Sequence, residues 1–213
     1  MDEKFIRNIF YYKNFYLDFF ASLKPEVKKK FNWTLKLIAT TERVPGKYFQ
    51  HIKNSTGLFE VRVEVSSNIY RVFCFFDKGQ LILLLNGFQK KSQKTPMTRL
   101  NWQKNLKNNT SMKKKENNNL TSFADHLDKQ YGKRGTAERE KFEEGFEAFK
   151  LGIMLQELRK GLGLTQEQLA EKCGTTKTYI SRIENDASDI RLSTLMRIIR
   201  EGLGGHLKLS VNI

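Results

Sequence analysis

The stretch Leu164–Asn185, LTQEQLAEKCGTTKTYISRIEN, contains the start signals of two short helices separated by one glycine. Thr165 can cap the first helix, and Gln168 stands three residues later, which is the spacing of a capping box. Gly174 supplies a turn, and Thr176 can cap the second helix. The stretch therefore predicts two short helices joined by a tight turn.

The residues on either side extend this helical pattern. The preceding segment, residues 140–163 (EKFEEGFEAFKLGIMLQELRKGLG), has apolar residues at helical spacing and glycines at its end. Ala170, Ile180 and Ile183 have the spacing of side chains that pack inward. The ending HLKLSVNI alternates as a short strand does, and such a strand could pair with a second copy or with another sheet edge. These patterns predict an all-α domain with a short C-terminal strand.

The pattern of residues 164–185 resembles the lambda-repressor-like (XRE) helix-turn-helix family, and the resemblance extends from about Phe149 to Gly202. It implies a domain that binds operator DNA as a symmetric dimer, with the second helix in the major groove. Gln166 and Thr176 stand at helix N-termini and are predicted to contact phosphates. The residues that project outward from the second helix, and are therefore predicted to read bases, are Lys177, Thr178 and Arg182, with Tyr179 and Ser181 as additions.

The first half of the chain shows a different pattern. Residues 15–41 (FYLDFFASLKPEVKKKFNWTLKLIATT) repeat apolar residues at helical spacing on both sides of Pro25, which predicts a hairpin of two helices. From residue 58 the period changes to two in LFEVRVEV, and IYRVFCFF and LILLLNGF follow after the turn signals SSN and DKGQ. The first half is therefore predicted to be an α+β domain, an αα-hairpin followed by an antiparallel sheet.

The basic charge of the protein is concentrated in this first half. The formal net charge is +15; residues 1–111 carry 20 Lys/Arg and 8 Asp/Glu, whereas residues 112–213 carry 18 and 15. Such an excess favours a polyanion such as nucleic acid as the partner, the alternative being a basic surface that only serves solubility. Strand alternation puts Arg62 and Arg71 on one sheet face, and their planar guanidinium groups suit phosphate. The residues expected to flank that face, each with a solvated surface role as its alternative, are His51, Lys53, Lys90, Lys91 and Lys94.

The segments GLFEVRV, YRVFCFF and LLLNGFQKKSQKTP look like the RelE/HigB-like toxins, in the branch that includes phage-derived host-inhibition proteins. The resemblance covers about Phe5 to Pro96, and it implies a ribosome-dependent endoribonuclease that cuts messenger RNA without a metal or other cofactor. Such a reaction needs a base for the ribose 2′-hydroxyl, cations for the phosphorane and an acid for the leaving oxygen. The candidates are Arg62 and Arg71 for the phosphorane, His51 or Lys53 as base, Lys90, Lys91 or Lys94 as acid or RNA ligand, and Lys47 for RNA binding.

A toxin followed by a lambda-repressor-like antitoxin is the gene order of HigB/HigA pairs, so the resemblance implies a toxin–antitoxin pair in one chain. The toxin is predicted at residues 1–96 and the helix-turn-helix domain at residues 146–213. Residues 120–145 would be the antitoxin segment that contacts the toxin, in cis or in trans, and neutralises its charge. Toxin–antitoxin units are expected to form a dimer. The alternative function is a transcription regulator whose basic first domain is catalytically dead.

The junction at residues 97–119 has no periodic apolar face, although toxins of this branch normally continue with an amphipathic helix. One hypothesis is that Met97–Ser111 is out-of-frame translation between two joined reading frames, with Met112 as the start of the antitoxin. The other is that the junction is the Lys/Asn-rich flexible linker of a natural fusion. Both hypotheses place the end of one protein and the beginning of another near Met112.

Cysteine usage and hydropathy restrict the class of protein further. Cys74 and Cys173 are far apart in sequence and have no second thiol nearby, so the sequence indicates neither a disulfide framework nor a zinc site. The chain has no long apolar run, so we expect neither a signal peptide nor a membrane span. These features are typical of a protein of the reducing cytoplasm.

Overall fold

The computed structural model describes residues 5–53, 55–77, 79–83, 88–90 and 120–210, and the fold is given for these residues. The chain divides into two compact units, Asp2–Lys133 and Arg134–Ile213, named here the N-terminal unit and the C-terminal unit. Both have the predicted class: the first is α+β with a mostly antiparallel sheet, and the second is helical with a helix-turn-helix.

The N-terminal unit contains a seven-stranded sheet and three helices among the described residues. The predicted helical hairpin is present, and so is the predicted run of antiparallel strands. The first strand was not predicted, because its sequence IFYY is too short and too uniformly apolar to show alternation. In chain order the elements are β1 (Ile9–Tyr12), α1 (Phe15–Ala21), α2 (Pro25–Thr40), β2 (Phe49–His51), β3 (Leu58–Val65), β4 (Asn68–Asp77), β5 (Gln80–Leu83), β6 (Phe88–Lys90), β7 (Leu120–Ser122) and α3 (Phe123–Tyr131).

The strands follow the order β2-β3-β4-β5-β1-β7, and β6 pairs with the first part of β4. β1 pairs with β5 in parallel, whereas the other pairs are antiparallel. The hairpin β3–β4 is the longest pair, and its register sets Arg62 opposite Arg71 and Val61 opposite Val72. Because side chains alternate along each strand, the sheet has two faces of different composition.

One face of the sheet is covered by helices and is named the helix face. α2 begins at Pro25, where a missing amide hydrogen costs nothing, and it buries Phe31 completely. The Phe31 ring lies 6.3 Å from the Tyr70 ring, and Tyr70 pairs with Val63 across the β3–β4 hairpin. Val61 and Val63 are buried on this face. Burial of each such side chain stabilises the unit by about 1.5–3 kcal/mol.

The other face, named the charged face, combines a small apolar cluster with a group of charged residues. Glu60, Arg62 and Arg71 occupy alternating positions of β3 and β4 on this face. The apolar cluster consists of Tyr12, Leu58, Phe73 and Phe75, with Leu120 packed against it.

Residues 120–133 belong to the N-terminal unit, although they are distant in sequence from its other strands. β7 pairs with β1, so it forms the edge of the sheet opposite β2. Ser122 caps α3, since its Oγ accepts a hydrogen bond of 3.1 Å from the Ala124 amide. The Asn32 side-chain amide of α2 donates to Gln130 Oε1 at 2.9 Å, which fixes the end of α3 on the helix face.

The C-terminal unit is built around the predicted helix pair. Thr165 and Gln168 form the predicted capping box, with bonds of 3.1 Å and 2.8 Å between side chains and backbone amides. Thr176 caps the second helix by accepting from the Tyr179 amide at 3.2 Å. In chain order the elements are α4 (Ala137–Gly161), α5 (Gln166–Lys172), α6 (Lys177–Asn185) and α7 (Leu192–Arg197), followed by a π-helical turn at Ile198–Gly202.

The division between the two units differs from the predicted domain boundaries. Strand pairing and helix packing tie residues 120–133 to the N-terminal unit. α4 runs without a break through the predicted boundary between Gly145 and Phe146. The units therefore divide between Lys133 and Arg134.

Other predicted features fall at or beyond the edges of the described residues. Residues 205–210 form no strand, because alternation alone does not provide the hydrogen-bonding partner that a strand needs, and residues 211–213 lie outside the described part. The predicted junction, residues 97–119, also lies outside it, so both hypotheses about the junction stay predictions. In the described part of the chain, no helix is long and apolar enough to cross a membrane.

Candidate functional site

Two arginines stand side by side on the charged face and share one carboxylate. Arg62 and Arg71 are direct partners in the β3–β4 register. Arg71 Nη1 donates to both oxygens of Glu60, at 2.7 Å and 3.0 Å, and Arg62 Nε lies 3.3 Å from Glu60 Oε1. Arg62 Nη1 also donates to Gln50 Oε1 at 2.9 Å. The predicted pairing of the two guanidinium groups on one face is therefore present, with an acidic residue between them.

The two arginines differ in burial. Arg71 is 8% exposed and Glu60 is 6% exposed, whereas the Arg62 side chain is 27% exposed. A buried guanidinium is strongly destabilising unless it is paired, so Glu60 is what allows Arg71 to lie inside the unit. Arg71 Nε is buried without a hydrogen-bond partner among the described residues. Arg62 is therefore the guanidinium of the pair that a ligand in solvent reaches first.

His51 and Lys53 do not join this pair. His51 pairs with Phe59, and their rings lie 5.1 Å apart, which puts the imidazole on the helix face of the sheet. Lys53 is exposed in the turn that follows β2. The expectation that both residues extend the arginine face is therefore corrected for His51, because alternation along β2 directs its side chain to the other face.

The remaining basic candidates have different positions. Lys47 is half-buried beside Tyr48 and lines a small cavity together with Arg62. The Lys90 backbone pairs with Ile69 in β4, two residues from Arg71. Lys91 and Lys94 lie outside the described residues. The structure therefore brings Lys47 and the Lys90 backbone close to the arginine pair.

Glu60 is a residue of the site that sequence reasoning missed. The alternation in LFEVRVEV places Glu60 two residues before Arg62 and therefore on the same face. That signal was available in the sequence. The pairing with Arg71 was not, because it depends on the register across the hairpin.

α6 presents predicted base-reading residues on its outer surface. Lys177 and Thr178 in its first turn are exposed, and so is Arg182. The Arg182 guanidinium lies 5.1 Å from the Tyr179 ring and 3.8 Å from the Asp189 carboxylate. Exposed ion pairs of this kind are weak, so Arg182 can exchange its carboxylate for DNA at little cost.

Three further candidates are less available for DNA. Ser181 is half-buried on α6. Thr176 is exposed, but its hydroxyl already caps α6. Gln166 turns inward, since its Nε2 donates to Glu184 Oε2 at 2.8 Å. In this arrangement Gln166 does not point its amide at a phosphate, because the buried carboxylate is the stronger acceptor nearby.

That buried carboxylate fixes α6 against α4. Glu184 is 1% exposed and accepts hydrogen bonds from Arg159, Gln156 and Gln166. Burial raises the pKa of Glu184, but the hydrogen bonds from Arg159, Gln166 and Gln156 and the charge of Arg159 outweigh burial and leave the pKa below its ordinary value. Arg159 Nη1 also donates to the Leu164 carbonyl at 2.7 Å, which ties the end of α4 to the start of α5. The sequence did not reveal this network, because its partners lie outside the apolar pattern.

The outer surface of α6 and the arginine pair on a basic sheet define a protein with a DNA-binding helix-turn-helix unit and a separate α+β unit. Residues 18–107 match the family described as Phage derived protein Gp49-like (DUF891), and residues 155–201 match the family described as Helix-turn-helix. None of the curated proteins compared with the chain matches it. The chain therefore carries a Gp49-like domain, similar to RelE/HigB-family toxins, followed by an XRE-type helix-turn-helix domain. This order of domains supports the architecture of a toxin–antitoxin fusion.

Proposed function

We propose that this protein is a type II toxin–antitoxin module. Its N-terminal unit is an endoribonuclease that cuts messenger RNA on the ribosome without a metal, and its C-terminal unit binds operator DNA and represses its own operon. The observation that supports the nuclease most directly is the opposed pair Arg62 and Arg71 in a Gp49-like domain. Two adjacent guanidinium groups match the charge of a phosphate that becomes a phosphorane.

Cleavage also requires residues that act as the general base and the general acid. Attack by the ribose 2′-hydroxyl requires a base, and the leaving 5′-oxygen requires an acid. Glu60 is better placed as the base than His51 or Lys53, because its carboxylate shares the face of Arg62 and Arg71. The acid is proposed to be Lys90 or Lys91, and the proposed RNA ligands are Lys94 and Lys47.

Leu120–Lys133 is proposed to anchor the antitoxin part to the toxin part. Besides the β1–β7 pairing and the Asn32–Gln130 hydrogen bond, it makes ring contacts: the Phe123 ring lies 6.5 Å from the Tyr11 ring, and the His126 ring lies 5.0 Å from the Phe20 ring. β7 is four strand spacings from β3, about 19 Å in all, so this segment docks away from Arg62. The proposed anchor is therefore strand pairing and ring packing, and the charge neutralisation expected from the sequence stays a prediction. Docking in trans would give the predicted dimer of toxin–antitoxin units.

Growth of cells that express parts of the chain tests the nuclease. Residues 1–133 should arrest growth, because they keep β7 and α3 but lack the C-terminal unit, and the full chain should arrest it less. Arg62→Gln should restore growth. Arg43→Gln, which changes an exposed arginine in the loop before β2, should not. Arrest that persists in Arg62→Gln would remove the arginine pair from the mechanism.

The second candidate function is a transcription regulator with an inactive basic domain. The observation that favours it is that Arg71 Nη1 already donates hydrogen bonds to both oxygens of Glu60, so this group is not open to a phosphate. If residues 1–133 are produced in folded form and do not arrest growth, this second function is the better account.

DNA binding is tested with the DNA that lies upstream of the protein's own coding sequence. Arg182→Gln and Lys177→Gln should each weaken binding about tenfold or more in fluorescence anisotropy, because each removes a predicted base contact. Lys208→Gln, which removes an exposed lysine outside α6, is the matched control and should change binding much less. Equal effects of all three variants would show that only general charge attracts the DNA.

A further inference from the structure

A small basic cavity lies at Arg62 of the arginine pair, where β2 begins. Its volume is about 100 Å³, several times the roughly 10–15 Å³ that one water needs. β2 pairs with β3 only as far as Val61, and the Arg62 amide then donates to the Tyr48 carbonyl at 2.8 Å. The cavity opens next to this last backbone link, with Arg62 and Tyr48 in its wall.

Three cations from three separate elements line the cavity. Lys30 comes from α2, Lys47 from the loop before β2 and Arg62 from β3, and Glu64 is the acidic residue of the lining. Both lysines are half-buried. The lining thus contains three cationic residues and one acidic residue. An anion that enters the cavity therefore meets more positive than negative side chains.

We propose that this cavity binds a phosphate group of the RNA backbone, one that is not cleaved. Arg62 belongs to both places, because its Nε lies 3.3 Å from Glu60 Oε1 in the arginine pair and the residue is also part of the cavity lining. An RNA strand that puts its scissile phosphate at the arginine pair can therefore place a neighbouring phosphate between Lys30 and Lys47. The ammonium groups of lysine and the fork of Arg62 suit the oxygens of a tetrahedral anion.

The identity of the natural ligand rests on the proposed nuclease function, whereas the site itself does not. Inorganic phosphate is therefore the first probe, titrated into the full ¹⁵N-labelled chain against sodium chloride of matched ionic strength. We expect saturable shifts of the Tyr48 and Arg62 amide signals with phosphate only. Lys30→Gln and Lys47→Gln should each weaken this binding about tenfold or more, since each removes one charge-assisted contact. Lys24→Gln, on an exposed lysine next to the start of α2, should leave it unchanged.

The outcomes separate the site from the function. Phosphate shifts that are not saturable, that occur only in the C-terminal unit, or that survive both cavity variants would overturn the phosphate site. A short oligoribonucleotide should then shift the same two amides in the wild type and lose affinity in the same two variants. If phosphate binds here but messenger RNA is never cut, the site stands and the nuclease proposal fails. If RNA is cut and phosphate leaves Tyr48 and Arg62 unshifted, the nuclease stands and this site fails.

Discussion

Glu60 determines what the neighbouring arginines can bind. Its carboxylate takes both hydrogen bonds from Arg71 Nη1 and lies 3.3 Å from Arg62 Nε. A phosphate that approaches Arg71 must therefore displace this carboxylate or share the guanidinium with it. The resting site is a partly neutralised cluster and not an open cationic surface.

Replacement of that carboxylate should destabilise the N-terminal unit. Glu60→Gln leaves the Arg71 guanidinium buried without a counter-charge, and breaking such a pair costs roughly 3–5 kcal/mol. Both tryptophans of the chain, Trp33 and Trp102, lie in its first half, so urea unfolding followed by tryptophan fluorescence reports on this unit. Glu64→Gln, at the exposed position four residues after Glu60, should change the free energy of unfolding by under about 0.5 kcal/mol. Equal effects of the two variants would contradict the role given to Glu60.

His126 should make the stability of the same unit depend on pH. Burial lowers the pKa of His126 from 6.5 to about 4; the hydrogen bond with Gln130 opposes this change, and the charge of Lys129 adds to it. The folded-state pKa lies below the unfolded-state value, so protonation favours unfolding. The contribution of neutral His126 is complete above about pH 6.5 and is lost as the pH falls toward 4.

The matching variant is His126→Phe, which keeps ring contacts with Tyr11 and Phe20 and removes the titration. The urea midpoint should fall between pH 7 and pH 5 in the wild type, and it should fall less in the variant. Tryptophan fluorescence again gives the midpoint. The same fall in both proteins would mean that other groups carry the pH dependence.

At the scale of elements, the C-terminal unit depends on the close approach of α4 and α6. Gly152 lies on α4 where a Cβ atom would stand 2.6 Å from the Ile183 carbonyl oxygen of α6. The close packing therefore requires glycine at this position, although glycine lowers the intrinsic stability of the helix relative to alanine. Gly161, in the last position of the same helix, has open space around it.

These two glycines form a matched pair of substitutions. Gly152→Ala should lower the stability of the C-terminal unit by about 1–3 kcal/mol, because α6 must move away. Gly161→Ala should leave stability unchanged or raise it by up to about 1 kcal/mol through helix propensity. Thermal unfolding followed by circular dichroism measures both changes. A Gly152→Ala protein as stable as the wild type would contradict the packing described for α4 and α6.

Local signals predicted the elements better than their partners. The capping box at Thr165 and the alternation of β3 depend on neighbouring residues, so they could be read directly from the sequence. The pairing of β7 with β1 joins segments more than a hundred residues apart, and three residues carry too little pattern to reveal it. For the same reason the place of Arg62 and Arg71 on one face was predictable, whereas the Glu60 bridge and the cavity at Lys30 were not.

At the scale of the whole molecule, the origin of the junction at residues 97–119 distinguishes a natural fusion from two joined reading frames. The Gp49-like match continues to residue 107, past the predicted toxin end at Pro96. The coding DNA tests the two hypotheses. An open second frame that encodes an amphipathic helix after the Pro96 codon would support joined frames, and an early stop in that frame would reject them.

We propose that the N-terminal unit cuts messenger RNA with its arginine pair and that the rest of the chain restrains it. Primer extension on messenger RNA from a cell-free translation system measures this cutting. Residues 1–133 should produce cuts inside translated reading frames, and none when ribosomes are omitted; the full chain should produce fewer. Arg62→Gln should reduce cutting about a hundredfold, and Arg43→Gln should not. Cuts that are absent with active ribosomes, or that are equally frequent with Arg62→Gln, would contradict the claim.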